Sequence, residues 1–331
     1  MHEHYVVAIG NAIVDIIGRC DEAFLARHGC AKGSMQLVDW TRTAQLYDAM
    51  GPTVEISGGS GANTSVGIAS LGGRAGFIGK TADDQFGQIF AHDIRTAGVT
   101  FTTPPAPEPS EPTGRCLVLV TPDGQRTMHT FLGVSPRLGG GEVHPALVAS
   151  ARIVYLEGYL FDRPEAKAAF RQAADIAAKA GRQVALSLSD AFCVDRHRAE
   201  FQALIRSSVD ILFANEAEIT SLYQTRSFEE AAGRARADTR LAALTRSEKG
   251  SLILGEGRAI TVPADPVSKV VDTTGAGDLY AAGFLFGIAA GRDLEAAGRL
   301  GSLAAAEIIS HIGARPETKL ADLARAKGLI A

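Results

Sequence analysis

The sequence has few cysteines, no block of basic residues and no long apolar run. Its four cysteines, Cys20, Cys30, Cys116 and Cys193, show no Cys-x-x-Cys spacing, which is typical of a reduced cytoplasmic chain. A net charge of −4 without a basic run argues against nucleic-acid binding. No apolar run is long enough to span a membrane, and the first residues lack a signal-peptide pattern, so we expect no membrane association.

Two common phosphate-binding motifs are also missing. A dinucleotide fingerprint would need a third glycine at position 280, which is Tyr280. Gly79-Lys80-Thr81 is similar to the end of a P-loop, but that motif needs a glycine at position 74, which is Arg74. The 331 residues are 46% hydrophobic and 21% charged, an ordinary globular composition that suits one large α/β domain or two smaller ones.

One glycine-rich turn carries an aspartate. Val270 and Val271 are predicted to end a strand, and the small-residue run 279–291 has helical spacing. Between them, the N–H groups of Gly275-Ala276-Gly277-Asp278 are predicted to be the unpaired donors of a helix start, which is an anion site. Asp278 would repel a phosphate there, but it could accept the proton of an attacking hydroxyl group. A helix cap after a glycine turn is the alternative interpretation.

Asp15 and a second glycine cluster also permit two interpretations each. Asp15 lies in the apolar run 5–17, where a charge is costly unless it is paired. It is either a strand-end aspartate that faces water or a carboxylate that accepts hydrogen bonds from sugar hydroxyls. The cluster Ser57-Gly58-Gly59-Ser60-Gly61-Ala62-Asn63 is either a flexible turn or a ligand-binding turn before a helix. Ala62 rules out a nucleophile elbow.

The string Asp272-Thr273-Thr274-Gly275-Ala276-Gly277-Asp278 resembles the signature of the ribokinase-like (PfkB) carbohydrate and nucleoside kinases. The stretch 10–15 and the cluster 57–63 resemble other motifs of that family. The resemblance implies that Asp278 is the general base and that Gly275, Ala276 and Gly277 form an anion hole. It also implies a set of residues that hold the sugar or ribose, which are Asp15, Gly58, Gly59 and Asn63.

The run 24–39 is more similar to adenosine kinases than to ribokinases. In that branch this segment contacts the nucleoside, which implies that Gln36 contacts substrate. An exposed strand residue without a ligand is the alternative for Gln36.

The nucleotide side of the site is implied by weaker motifs. Asn215-Glu216-Ala217-Glu218 matches the family's Asn-x-x-Glu pattern, in which Glu218 would act on Mg²⁺ through water. The same residues could form a helix capping box, and both interpretations can hold. Thr245 and Gly250 match a family motif that contacts ATP, although Ser247 replaces its middle glycine. In several family members backbone oxygens near Asp272 and Thr274 hold K⁺, which we carry over as a weak expectation.

Strands and helices alternate between residues 152 and 254, which predicts parallel pairing. Pro122-Asp123-Gly124 lies between two apolar runs and predicts a hairpin, while the prolines at 104–112 predict a rim or linker. We therefore expect one domain over 1–331, a three-layer α/β/α sandwich with a predominantly parallel central sheet. A small β lid is expected from segments near 11–40 and 100–135. Glu157 and Asp190 are interpreted as solvated loop residues.

The expected reaction is transfer of the γ-phosphate of ATP, with Mg²⁺, to a hydroxymethyl group of an adenosine-like ribonucleoside or a sugar. The dipole of the helix that follows the signature should favour the ionised form of Asp278. The alternatives are a sugar kinase of the ribokinase, fructokinase or ketodeoxygluconate kinase type and a non-catalytic sugar- or nucleoside-binding regulator. Lid strands can pair between subunits, so a homodimer is one expected assembly.

Overall fold

The computed structural model describes residues 4–107 and 111–331. Residues 1–3 and Pro109 of the proline-rich stretch lie outside the described residues. The strands, in chain order, are β1 (His4–Ile9), β2 (Ile13–Arg19), β3 (Met35–Leu37), β4 (Thr53–Gly58), β5 (Ala75–Ile78), β6 (Val99–Phe101), β7 (Gly114–Val120), β8 (Arg126–Phe131), β9 (Ala151–Glu157), β10 (Gln183–Ser187), β11 (Ile211–Asn215), β12 (Leu241–Thr245), β13 (Ser251–Gly255) and β14 (Arg258–Val262).

Most helices begin at a polar side chain that accepts a hydrogen bond from the first turn. The helices are α1 (Glu22–Arg27), α2 (Trp40–Ala49), α3 (Ser60–Ser70), α4 (Gln85–Thr96), α5 (Pro145–Ser150), α6 (Pro164–Lys179), α7 (Ala191–Ser208), α8 (Glu216–Tyr223), α9 (Phe228–Asp238), α10 (Ala276–Ala289), α11 (Leu294–Ile308) and α12 (Leu320–Ala326). The capping side chains are Asp21, Asp39, Asp84, Asp190, Asn215, Ser227 and Asp293. In contrast, α3 and α10 begin at Gly59 and Gly275 and have no side-chain cap.

The larger sheet has nine strands in the order β14-β13-β12-β11-β10-β9-β1-β5-β6. Its strands pair in parallel from β6 to β12, and only β13 runs in the opposite direction, antiparallel to both β12 and β14. The inner strands are apolar on both faces because helices cover both sides. One core packs α3, α4, α10 and α11 on the sheet, and the other packs α5 to α9. This confirms the predicted three-layer α/β/α sandwich.

A second sheet has five strands in the order β3-β8-β7-β2-β4. The predicted hairpin is present as the antiparallel pair β7 and β8. One strand, β4, lies outside the segments predicted for the small sheet and pairs antiparallel with β2. Since β4 ends at Gly58, the small sheet leads directly into the glycine turn that starts α3.

The segment before the signature turn differs from its prediction. Val270 and Val271 do not end a strand, because the segment 263–275 has no regular structure and no sheet pairing, and the N–H of Val271 donates to the Ile309 carbonyl. β-branched residues favour strands, but here the backbone at the end of α11 takes the place of a partner strand.

Within the described residues, no helix combines the length and hydrophobicity that a bilayer crossing requires.

Candidate active site

Asp278 lies where the first turns of α3 and α10 meet. Its carboxylate accepts hydrogen bonds from Ser60 Oγ at 2.6 Å and from Asn63 Nδ2 at 3.0 Å. Its backbone carbonyl accepts from Thr64 Oγ1 at 3.1 Å. Ser60 was not predicted as a site residue, because a serine among glycines is typical of any turn. The amide oxygen of Asn63, Oδ1, is buried and has no protein partner within the described residues, so it can accept from a ligand.

Desolvation raises the pKa of Asp278, and the hydrogen bonds from Ser60 and Asn63 and the charge of Arg315 oppose this rise. The net direction is the opposite of the one predicted from the dipole of α10. Burial disfavours the charged carboxylate more strongly than its donors favour it. A carboxylate with a raised pKa is a better proton acceptor, which suits a general base.

The turn before Asp278 is built around two glycines with different surroundings. Gly275 has a φ of +79°, and a Cβ there would lie 3.0 Å from the Cβ of Ala314. A Cβ on Gly277 would meet no protein atom within 4 Å, and Gly277 is exposed. Together with the missing side-chain cap, this leaves the N–H groups of Gly275 and Gly277 open to an anion among the described residues. The N–H of Ala276, which was predicted to be unpaired, instead donates to the Thr273 carbonyl at 3.2 Å.

The Asp15 carboxylate lies against the other glycine turn. A Cβ on Gly58 would come within 2.5 Å of Asp15 Oδ2, and one on Gly59 would lie 2.2 Å from the carbonyl oxygen of Asn11. Desolvation raises the pKa of Asp15 to about 6, while Arg315 and Arg126 lower it. Asp15 therefore shares one electrostatic environment with Asp278, although the two are far apart in the chain.

Arg126, at the start of β8, was not identified from the sequence. It is enclosed and forms an ion pair with Asp272 at 2.9 Å, and its Nε has no hydrogen-bond partner within the described residues. Asp272 also accepts from the backbone N–H groups of Thr274 and Gly313. An arginine two residues after a hairpin turn, with Met128 and Thr130 on the same face, is the signal that could have revealed it.

The predicted nucleotide residues meet at the carboxyl ends of β11 and β12. Asn215 and Thr245 are directly paired across these strands. Asn215 and Glu218 form the predicted capping box, with Asn215 N 2.9 Å from Glu218 Oε2. Burial raises the pKa of Glu218 to about 7, and Asp190 and Asp278 add to the rise.

Gly250 follows β12 in a tight turn, and its backbone conformation accounts for the glycine. Its φ is +80°, and a Cβ would lie 2.1 Å from the carbonyl oxygen of Val262. Ser247, at the position where the family has a glycine, has a φ of +51°. The turn therefore keeps the left-handed conformation without the residue that adopts it at least cost.

Glu157 is not a solvated loop residue, which corrects the prediction. It is 1% exposed and accepts hydrogen bonds from the backbone N–H groups of Asn11 and Gly61 and from the Asn11 side chain. Desolvation raises its pKa to about 7. Asp190, also predicted to be solvated, is half-buried and caps α7 through the N–H of Cys193.

Gln36 is not brought to the face of the small sheet that carries Asp15. The residues that share the Asp15 face by direct pairing are Cys116, Thr130 and Leu37. Gln36 pairs with His129 and therefore lies on the opposite face. Met35 and Leu37, and not Gln36, therefore lie on the face that carries Asp15, and the predicted contact between Gln36 and substrate stays a prediction.

Mg²⁺ fits the donors at this edge. Over residues 4–107 and 111–331, no group of three or more His, Cys, Asp and Glu side chains is placed to hold a metal directly. Mg²⁺ keeps most of its waters and needs few carboxylates, so the oxygens of Glu218 suit a water-mediated contact. The predicted K⁺ site at the backbone oxygens near Asp272 and Thr274 stays a prediction. The side-chain carboxylate of Asp272 is paired with Arg126.

Comparison with known proteins gives a consistent result. Residues 3–320 match the family described as pfkB family carbohydrate kinase. The solved structure of adenosine kinase from Sinorhizobium meliloti is 51% identical over 98% of this chain and 99% of that one, with a TM-score of 0.91. A probable sugar kinase protein from Rhizobium etli is 49% identical over the full length of both chains, with a TM-score of 0.93. Adenosine kinase of Saccharomyces cerevisiae is 25% identical over 93% of this chain and 95% of its own.

Proposed function

Because the chain belongs to the pfkB family of carbohydrate kinases, and is thus a phosphotransferase with an alcohol acceptor, we propose that it phosphorylates the hydroxymethyl group of an adenosine-like ribonucleoside with ATP. The observation that carries the proposal is the Asp278 carboxylate at the uncapped start of α10, held by Ser60 and Asn63. A base beside open amide donors suits phosphoryl transfer to a hydroxyl group.

In the proposed reaction, Asp15 accepts hydrogen bonds from the ribose hydroxyls, and the free oxygen of the Asn63 amide accepts another. Asp278 removes the proton of the hydroxymethyl group while its oxygen bonds to the γ-phosphorus. The bond between that phosphorus and the bridging oxygen breaks, and ADP leaves. The N–H groups of Gly275 and Gly277 and the Arg126 guanidinium stabilise the charge on the transferred group.

Bound Mg²⁺ would neutralise charge on the ATP phosphates, and Glu218 would hold it through water. Thr245 and Gly250 are proposed to border the nucleotide. Closure of the small sheet as a lid would keep water away from the reacting phosphate, since water competes with the substrate hydroxyl. The ion pair between Arg126 of the small sheet and Asp272 of the signature turn supports such closure.

Exposed apolar side chains on the Asp15 face of the small sheet and past the carboxyl end of β10 favour a nucleoside over a free sugar. Met35 and Leu37 share the Asp15 face of the small sheet and are 46% and 57% exposed. Phe192, just past the carboxyl end of β10, is 76% exposed. A planar nucleobase would cover such surface, whereas a free sugar has no apolar part that requires it.

The first test is ADP release with Mg-ATP across adenosine, guanosine, inosine, ribose, fructose and 2-keto-3-deoxygluconate. We expect adenosine to give the highest kcat/KM and Asp278→Asn to lower kcat at least about 1000-fold with adenosine binding retained. Near-normal turnover by that variant would remove Asp278 as the base. Turnover only with free sugars would favour the sugar kinase alternative, which the similarity to the Rhizobium etli protein supports.

A pair of variants in β3 tests the nucleoside assignment. Leu37→Ser should raise the KM for adenosine about tenfold, because it removes apolar contact with the base, and should not affect ribose. Gln36→Ser, on the other face of the same strand, is the matched control and should change neither KM. Equal effects of the two variants would contradict the assignment.

A further inference from the structure

A three-residue segment after α11 contacts both glycine turns of the site. The N–H of Gly313 donates to Asp272 at 3.1 Å, and Ala314 packs against Gly275. Arg315 reaches in the other direction, toward Ser57. The segment Gly313–Arg315, called the bridge here, therefore joins the turn that carries the base to the turn that faces Asp15.

Arg315 binds the backbone at two points of the second turn. Its Nε and Nη2 donate to the Ser57 carbonyl at 2.8 and 2.6 Å, and its Nη1 donates to the Ala62 carbonyl at 3.0 Å. Nη2 also donates to Ser57 Oγ at 2.8 Å. This geometry uses the planar fork of a guanidinium, which a single ammonium group cannot reproduce.

The two carbonyls flank Ser60, and the second directly precedes Asn63, and these two residues hold Asp278. Ser60 is between Ser57 and Ala62, and Asn63 follows directly, so the fork fixes the stretch from which both hydrogen bonds to the carboxylate come. Asp93 of α4 completes the support by accepting from the N–H and Oγ of Ser57. A shift of this stretch would move the donors of Asp278 and the glycines against Asp15 together.

The positive charge of Arg315 is not neutralised by a direct ion pair within the described part of the chain. None of the ion pairs among the described residues includes it, and its charge lowers the pKa of both Asp278 and Asp15. Arg126 is a second cation of the site. The titratable and charged groups that act on Asp278 or Asp15, or respond to them, are Cys116, Tyr155, Glu157, Tyr159, Glu218, Arg126 and Arg315.

We propose that Arg315 is a positioning residue for the reaction, which holds the Ser57–Asn63 turn against Asp278 and supplies a fixed positive charge between the base and the acceptor site. The inference rests on the proposed function and adds a residue from outside the motifs that carry it. Arg315 touches neither reacting atom, because its donors end on backbone carbonyls and a hydroxyl group of the protein.

Two variants separate geometry from charge. Arg315→Gln removes the charge, so the acid limb of the pH profile of kcat should move to higher pH, and kcat at neutral pH should fall about 100-fold. Arg315→Lys keeps the charge but not the fork, so the limb should stay in place while kcat still falls about tenfold. Arg198→Gln is the control, since Arg198 Nε likewise donates to a backbone carbonyl, that of Ser221 at 3.0 Å, away from the site.

The decisive readout does not need turnover. Carboxyl ¹³C resonances of aspartate, with Asp278 assigned by comparison with Asp278→Asn, should titrate at higher pH in Arg315→Gln than in the unmodified protein and Arg198→Gln. An unchanged titration of Asp278 would overturn the charge role, and unchanged kcat in Arg315→Lys would overturn the geometric role. If Arg315→Gln does not fold, unchanged kcat and titration in Arg315→Lys would overturn the inference, and reduced kcat would support it.

Failure of this inference is distinguishable from failure of the proposed function. An unmodified protein that phosphorylates none of the offered acceptors would overturn the proposed function. The carboxyl titration would still test whether Arg315 acts on Asp278.

Discussion

Gly58 and Gly59 of the first glycine turn of the site and Gly277 of the second turn are glycines for opposite reasons, whereas Gly275 of the second turn is constrained by its own backbone, as Gly59 is. In the first turn, a side chain on Gly58 would strike the Asp15 carboxylate, and one on Gly59 would strike the Asn11 carbonyl. In the second turn, a side chain on Gly277 would meet nothing in the protein. The first turn is shaped by the chain's own packing, whereas the second leaves space that the protein does not fill.

This difference shows how to separate a structural glycine from a ligand-binding one. A glycine whose side chain would overlap other atoms of the protein gives little information about ligands. A glycine in open space, at an uncapped helix start beside a carboxylate, points to a group that approaches from outside. Substitutions in the two turns should therefore fail in different ways, one in folding and the other in activity.

Gly59→Ala should give the largest effect on the free energy of unfolding. If the substitution were harmless, the first turn would not require glycine for packing, and the comparison would fail. The backbone has a φ of +96° there, and the new methyl group would overlap the Asn11 carbonyl, so we expect a loss of more than about 3 kcal/mol in the free energy of unfolding. Urea denaturation measures it. The control is Gly72→Ala, which has a φ of +88° but open space and should lose only about 1 kcal/mol.

Asp15→Asn sharpens the comparison by replacing the carboxylate that lies against Gly58 with a neutral amide. The loss of charged hydrogen bonds to the acceptor should lower kcat/KM about 1000-fold. The pKa of Asp15 is raised to about 6, so the folded state binds this proton more tightly than the unfolded state, and the ionised carboxylate costs stability at neutral pH.

The neutral variant should therefore melt at a higher temperature than the unmodified protein near neutral pH. The gap should close as the pH falls through about 6 toward the unfolded pKa, because the native carboxyl group is then protonated as well. Calorimetry across this range measures it. A gap that grows on acidification would contradict the assignment of the raised pKa.

Gly277→Ala tests the open side of the comparison. We expect the free energy of unfolding to stay unchanged or rise by about 0.5 kcal/mol, because an alanine fits the helical backbone and the space is empty. The kcat should nevertheless fall about 100-fold, since the methyl group displaces the transferred phosphate. Gly233→Ala in α9 is the matched control, with equally open space and no expected loss of activity. Full activity of Gly277→Ala would mean that nothing approaches this turn.

Ser247→Gly should give the smallest effect and extends the comparison to a third turn. The serine has a φ of +51°, so a glycine should stabilise the protein by up to about 1 kcal/mol. Gln224→Gly, at a φ of +51° in the C-cap of α8, should behave alike. Thermal melting of both variants measures the effect, and destabilisation by Ser247→Gly would show that its side chain has a role beyond conformation.

Much of the fold follows from local patterns in the sequence. Alternating strands and helices after residue 152 and the turn at Pro122-Asp123-Gly124 predicted the parallel sheet and the hairpin, because both depend on short-range signals. The strand at Val270 and Val271 was wrong because a β-branched pair indicates an extended backbone without showing whether a partner strand exists.

The site was predictable only where motifs carried it. Glu157 appeared solvated because its partners, Asn11 and Gly61, are 146 and 96 positions away in the chain. Arg315 was missed for the same reason, since its contacts with Ser57 and Ala62 are long-range and leave no local pattern, whereas the local pattern around Arg126 was present but not recognised. The sequence also could not show which face of the small sheet Gln36 lies on, because one residue of strand register moves a side chain to the other face.

The contact between Arg315 and Ser57 spans 258 positions of the chain. A ribosome that adds about 5 to 20 residues per second needs on the order of 10 to 50 s to synthesise that interval. Throughout this time the growing polypeptide already contains the Ser57–Asn63 turn without the arginine that holds it. The hydrogen bonds that hold this turn of the site can therefore form only after synthesis has passed residue 315.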